Sequence, residues 1–222
     1  MEELEKLYTD SIRKMIESFF KEKGLTEKSV QQQLFLSPGC KKLTSGYFFY
    51  DLEFSQPYGK LLDCKNQPDM LAIRFDSAGK PERLVFVEVK SKKDALHGKS
   101  GVRPHVWGME RYPDWLLPVR SSDACEILNQ YMDIGLITGR SEHFDKERFA
   151  RLPKEVLLVC TGADTIEALK TVREDSKEQE TIHQFLSKQG YALAPGILPL
   201  PDGVEEMAVY RKDFGQRGAP AK

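Results

Sequence analysis

Apolar positions along this chain recur with two periods. Over residues 2–22, Leu4, Leu7, Tyr8, Ile12, Met15, Ile16 and Phe19 return at helical spacing and Gly24 supplies a stop, which predicts an amphipathic helix. The following stretch, SVQQQLFLSPGCKKLTSG, is mixed, with a turn at Pro38-Gly39. Three runs rich in branched and aromatic residues then predict strands: YFFYDLEF at 47–54, DMLAIRF at 69–75 and RLVFVEVKS at 83–91. The last two, separated by DSAGKPE, read as an antiparallel hairpin. Residues 92–120 mix Gly, Pro, Trp, His and basic residues without clear periodicity and read as a long irregular connection. A helix opening at Ser122 or Asp123 and closing near Gly135, a buried strand at 155–160, helical sequence over 163–189 and a last strand at EEMAVYRK complete the pattern. Helix, three strands, loop and helix, strand, helix, strand is the order of a mixed α/β fold whose first strands form a meander. It predicts a single unit over 1–213, with a core of about 1–161, an α/β extension over 162–213 and a frayed tail at 214–222.

One strand breaks its own pattern. In LVFVEVKSKK, Leu84, Phe86, Glu88 and Lys90 share one face, and Val85, Val87, Val89 and Ser91 the other. Two ionisable groups thus follow two large apolar ones on the same face, where an unpaired buried charge costs several kcal/mol (order of magnitude) or neutralises. The alternative is a strand end that reaches solvent and displays both charges. If the hairpin forms, Asp69 at the start of one strand lies near Glu88 and Lys90 at the end of the next. Two converging carboxylates make a hard-oxygen site suited to Mg²⁺ or Mn²⁺. A lysine beside them suits phosphate or an activated water.

The bulk numbers narrow the surroundings. The chain has 222 residues, 40% hydrophobic and 30% charged, with a formal net charge of -1, so any polyanion site must be a local patch. Cys40, Cys64, Cys125 and Cys160 are scattered, with no C-x-x-C pair, and read as reduced thiols and not as a zinc or iron–sulfur site. The acidic start MEELEKLYTD lacks an apolar signal core and no run approaches membrane-spanning length, which points to a cytoplasmic protein. The local patch follows the strand: Lys90, Lys92, Lys93, Lys99, Arg103 and Arg111 stand against only Asp94 and Glu110, and phosphate contacts are expected from it. Trp107, Tyr112 and Trp115 interleave with these residues, either to stack on bases or to pack the segment onto the domain. His97 and His105 are too loosely spaced for zinc and read as surface histidines.

Pro68-Asp69, eighteen intervening residues and then Glu88-Val89-Lys90 in an apolar strand resemble the PD-(D/E)xK nuclease superfamily, whose core is the restriction-endonuclease-like fold, α-β-β-β-α-β. Asp63-Cys64-Lys65 and Asp175-Ser176-Lys177 also match the second half of the motif but lack its strand context. The resemblance implies Asp69, Glu88 and the Val89 carbonyl as ligands of Mg²⁺ or Mn²⁺, and Lys90 as the residue that assists the attacking water. The reaction would be hydrolysis of a phosphodiester. DNA is the expected substrate, with RNA left open. Relatives often add an acidic residue from the first helix, and Glu5, flanking its apolar stripe, is the best placed. Some exonuclease branches carry a glutamine and a tyrosine on the helix after the motif; Gln130 and Tyr131 are adjacent and do not match that spacing. One site cuts one strand, so duplex cleavage would call for a homodimer or a partner protein. The competing reading is a non-cleaving nucleic-acid-binding or assembly module that keeps the fold.

Overall fold

The computed structural model describes residues 26–37, 43, 46–52, 68–138, 140–172 and 179–215. The expected helix over 2–22, Glu5, both decoy motifs, Cys40, Cys64 and most of the tail lie outside the described residues.

Strand β3 (Pro81–Lys90) has no exposed face from Leu84 onward: Leu84, Val85, Phe86, Val87, Glu88 and Val89 are all 0% exposed. A strand covered on both sides reads as a near-continuous apolar run, which explains its sequence up to Glu88. It lies between β2 (Met70–Phe75), antiparallel, and β4 (Lys154–Thr161), parallel. Beyond β2 stands β1 (Gly46–Leu52); beyond β4 stand β6 (Met207–Asp213) and the two-residue β5 (Ala192–Leu193). The result is a six-stranded mixed sheet in the order β1-β2-β3-β4-β6-β5. The β2–β3 turn is built on Asp76, whose Oδ1 accepts from the N–H groups of Ala78 and Lys80 at 2.8 Å each, while Gly79 takes φ +72°.

Helices cover both faces. Val30 and Leu34 of α1 (Glu27–Leu36) pack with Val85, Val87 and Val89, joined by Leu198 and Val204. The other face carries Leu84 and Phe86 against α2 (Val102–Glu110), α3 (Leu117–Asp133), α4 (Lys146–Ala150), α5 (Ala163–Leu169) and α6 (Ile182–Lys188). No helix among the described residues is long and apolar enough to cross a membrane.

The meander of three strands and a fourth strand brought alongside through helices match the sequence pattern, and the structure adds that this fourth strand is parallel to β3. Three expectations are corrected. The stretch 92–120 is not an irregular connection: it holds a 3-10 turn (Lys93–Leu96), all of α2 and the start of α3. Helical periodicity is present there, with Val102, Val106 and Met109 buried in one stripe, but Gly101, Pro104 and Gly108 obscure it. Pro104 falls in the first turn, where a missing N–H costs little. Helix α3 opens at Leu117 and not at Ser122 or Asp123, with Pro118 in its first turn. The mixed stretch after Gly24 contains α1, whose Thr26 and Ser29 form a capping box. The helical sequence over 163–189 resolves into α5 and α6, and β6 joins the same sheet as the core strands.

At the end of the sheet far from Lys90, Glu155 is fully buried with one hydrogen-bonded oxygen and one held only by an ion-pair contact that lacks hydrogen-bond alignment. The Tyr47 hydroxyl donates to Oε1 at 2.7 Å and Arg74 Nη1 lies 2.5 Å from Oε2. Burial pushes its carboxyl up to about 7, with the Asp213 side chain adding to the rise and Tyr47 and Arg74 opposing it.

Gly101 precedes α2 where there is no room for a side chain: a Cβ there would stand 2.6 Å from the His97 carbonyl carbon and 2.7 Å from the Leu96 oxygen. Gly101→Ala is expected to cost about 1–3 kcal/mol by forcing the 96–101 backbone to shift. Urea unfolding monitored by far-UV circular dichroism checks this, and an unchanged midpoint would refute it.

Candidate functional site

The register of the β2–β3 hairpin builds the site. Met70 stands opposite Val87, so one step outward Asp69 arrives beside Glu88. Asp69 Oδ2 accepts the Val89 N–H at 2.7 Å, continuing the ladder with a side chain where the β2 backbone ends. The N–H and C=O of one strand residue point the same way, so the Val89 carbonyl also faces the Asp69 side. Glu88 and Lys90 project from the opposite parity, on the face of Leu84 and Phe86.

Neither charge is displayed to solvent. Glu88 is 0% and Lys90 4% exposed, which removes the reading of an exposed strand end. Lys90 Nζ lies 2.7 Å from Glu88 Oε1, and His105 Nδ1, from α2, lies 2.5 Å from the same oxygen. Neither contact has the alignment of a full hydrogen bond, and Glu88 Oε2 is buried with no partner of either kind among the described residues. Glu88 thus differs from Glu155, whose neighbours are divided between its two oxygens. His105 was expected at the surface; it points inward because Val102, Val106 and Met109 anchor α2 on the sheet and leave His105 facing β3.

Electrostatics follow from this crowding. Burial, then the Glu88 charge, push the Asp69 carboxyl up to about 7, with Glu27 adding to the rise and the Val89 N–H and Lys90 opposing it. Burial pulls on Lys90 in the downward direction, but Glu88 first, then Glu27 and Asp69, outweigh it, so the ammonium holds its proton more firmly than usual. Glu27 was not singled out in the sequence. It begins α1, acts electrostatically on Asp69, Lys90 and Cys160, and has its Oε1 buried without a hydrogen-bond partner among the described residues. Its signal lay in the Thr26-x-x-Ser29 cap and the Val30/Leu34 spacing. Cys160, opposite Lys90 on β4, is a free, buried thiol whose pKa is raised by burial, so it is no nucleophile.

The other expected residues divide. Lys92, Lys93 and Lys99 are exposed on the segment leaving β3, and Arg111 is exposed with its guanidinium 6.0 Å from the Trp107 ring centre. Arg103 is engaged: it lies 3.0 Å from Glu180 and 4.3 Å over the Phe185 ring, tying α2 to α6. Tyr112 is a core aromatic against Phe86, whereas Trp115 is 67% exposed. Gln130 is exposed, and Tyr131 packs beside Phe48. A cleft of about 250 Å³ beside the 3-10 turn is lined by Lys93, Asp94, His97, Ala168 and Thr171, not by the carboxylates.

Among the described residues there is no group of three or more His, Cys, Asp and Glu that could hold a metal ion by itself. The oxygens of Asp69, Glu88 and the Val89 carbonyl nevertheless suit Mg²⁺, which keeps several waters and takes one or two carboxylates. Glu88 Oε2 is buried without a hydrogen-bond partner among the described residues, so it could accept such a partner. Comparison with family models, with curated proteins and with solved structures returned no match.

The raised Asp69 carboxyl has a stability consequence. Its folded pKa of about 7 exceeds the ordinary 3.8, so its contribution to stability is complete below pH 3.8 and is lost as pH rises through about 7. Asp69→Asn keeps an acceptor for the Val89 N–H without the charge. Measured by thermal melts in EDTA, it should raise Tm by a few degrees at pH 8, and the gain should vanish near pH 4. A variant less stable at pH 8 would contradict this.

Proposed function

We propose that this chain is a metal-dependent nuclease of the PD-(D/E)xK type that hydrolyses phosphodiester bonds in DNA. The observation that carries the reading is the convergence of Asp69, Glu88 and Lys90 at one end of the sheet, with the glutamate and lysine buried. Burial of such a pair is poor economy for stability alone, since an apolar pair of similar size often serves as well or better. The meander β1–β3 and the helical crossover to a parallel β4 follow the order of the restriction-endonuclease-like core, with β6 and β5 as additions beyond it.

In this reading Asp69, Glu88 and the Val89 carbonyl hold Mg²⁺ or Mn²⁺, and Glu27 takes the place of the acidic residue on the first helix. A metal held there would supply Lewis-acid polarisation of the phosphate and a more acidic attacking water. Asp69 must shed its proton to act as a ligand, so metal affinity rises with pH through about 7. Lys90, held as an ammonium, orients the water and offsets charge on the phosphate; it does not start as the base. Lys92, Lys93 and Lys99 lead the nucleic-acid backbone to the site, and Arg111 extends the patch. Arg103 serves that patch indirectly, by holding α2 against α6. A second copy of the chain or a partner protein would provide the second cut of a duplex.

The test is cleavage of linear and circular duplex DNA, single strands, flaps and RNA by the purified protein with Mg²⁺, Mn²⁺ or EDTA. Asp69→Ala and Lys90→Ala should each lose on the order of 10²–10³-fold or more in rate, while Asp63→Ala and Asp175→Ala should cut normally. Metal-independent cutting, or full activity in Lys90→Ala, would refute the reading. Tight DNA binding without cutting would favour the non-cleaving module.

A further inference from the structure

We propose that His105 is the positioning residue that holds Glu88 in its ligand orientation; this rests on the nuclease reading above. His105 Nδ1 and Lys90 Nζ lie 2.5 and 2.7 Å from one oxygen, Glu88 Oε1. Lone pairs on Nδ1 and Oε1 would repel at that separation, so in this role His105 carries a proton on Nδ1 and becomes a donor once the ring turns into line, which it is not in the structure. The ammonium of Lys90 has only donors to offer. Both neighbours stand at Oε1, and Oε2, buried and without a partner among the described residues, is the oxygen left for a cation.

Two anchors are needed where one would not serve. The terminal carboxylate torsion of a glutamate is broad, so a single donor leaves the group free to swing. Lys90 is on the same strand as Glu88, whereas His105 comes from α2, which Val102, Val106 and Met109 lock into the core. Donors from two separate elements fix the carboxylate plane. They also release Lys90: when its ammonium turns to water or phosphate, His105 alone keeps Glu88 from rotating. Partners of this kind behind metal-bound carboxylates and histidines typically contribute about 10–100-fold in metal affinity or activity.

The experiment measures Mn²⁺ affinity by electron paramagnetic resonance of free Mn²⁺, together with the urea midpoint and DNA cleavage. It compares wild type with His105→Leu, which keeps volume but has no donor, and His105→Asn, which places an amide N–H near the Nδ1 position. His105→Leu is expected to lose about 10–100-fold in Mn²⁺ affinity with little change in midpoint, and His105→Asn to stay within about threefold of wild type. If the Leu variant does not fold, His105→Gln, whose donor falls at the Nε2 position instead, should show the loss while Asn does not. Wild-type affinity in the Leu variant, or equal loss in Asn and Leu, would overturn the positioning role and leave the nuclease reading intact. A wild-type protein that binds no Mn²⁺ would overturn both.

Discussion

The pairing of β2 with β3 is the constraint on which the rest of the site depends. Because side chains alternate with a period of two, the Met70–Val87 register determines that Asp69 arrives beside Glu88 and that its carboxylate meets the Val89 N–H. A slip of one residue would send Glu88 and Lys90 to the α1 face and bring the valines under α2. Apolar packing prevents that slip: Val85, Val87 and Val89 are sealed under Val30 and Leu34, and Phe86 under Tyr112. The core thereby enforces the chemistry, since the positions that carry charge are determined by the positions that carry methyl groups.

Within that frame the sheet contains two fully buried glutamates with opposite solutions. Glu155 divides its neighbours between its oxygens and is a structural knot joining β1, β2 and β4. Glu88 has both neighbours on one oxygen and leaves the other without a partner. A buried acceptor without a hydrogen bond costs roughly 1–3 kcal/mol, offset at Glu155 Oε2 by the Arg74 ion pair and at Glu88 Oε2 by no neighbour among the described residues. The raised Asp69 carboxyl is the same tension seen from the next strand: two carboxylates share a buried corner, where burial and the Glu88 charge push Asp69 upward.

Charge on this chain is local and not global. The formal net charge of -1 conceals a run in which Lys92, Lys93 and Lys99 emerge just after the buried pair. Arg103, from the same run, is turned to construction, bridging Glu180 and covering Phe185. Cationic residues counted along a sequence therefore overstate a binding surface, because some are consumed in joining helices.

Period and composition by themselves determined the strands 69–75, 83–91 and 155–160, the hairpin of the first two, and the approach of Asp69 to Glu88 and Lys90. These are local or near-neighbour properties, written in alternation and in turn residues such as Asp76 and Gly79. Only the tertiary structure decided that Glu88 and Lys90 are buried, since burial depends on α1 and α2 closing over the two faces. It also brought in Glu27 and His105, one far before and one after the strand, whose proximity no spacing rule encodes. In helix α2 the apolar stripe of Val102, Val106 and Met109 is interrupted by Pro104 and Gly108, so only its packing on the sheet makes the helix plain. The identity of the charges is sequence; their partners are the product of packing.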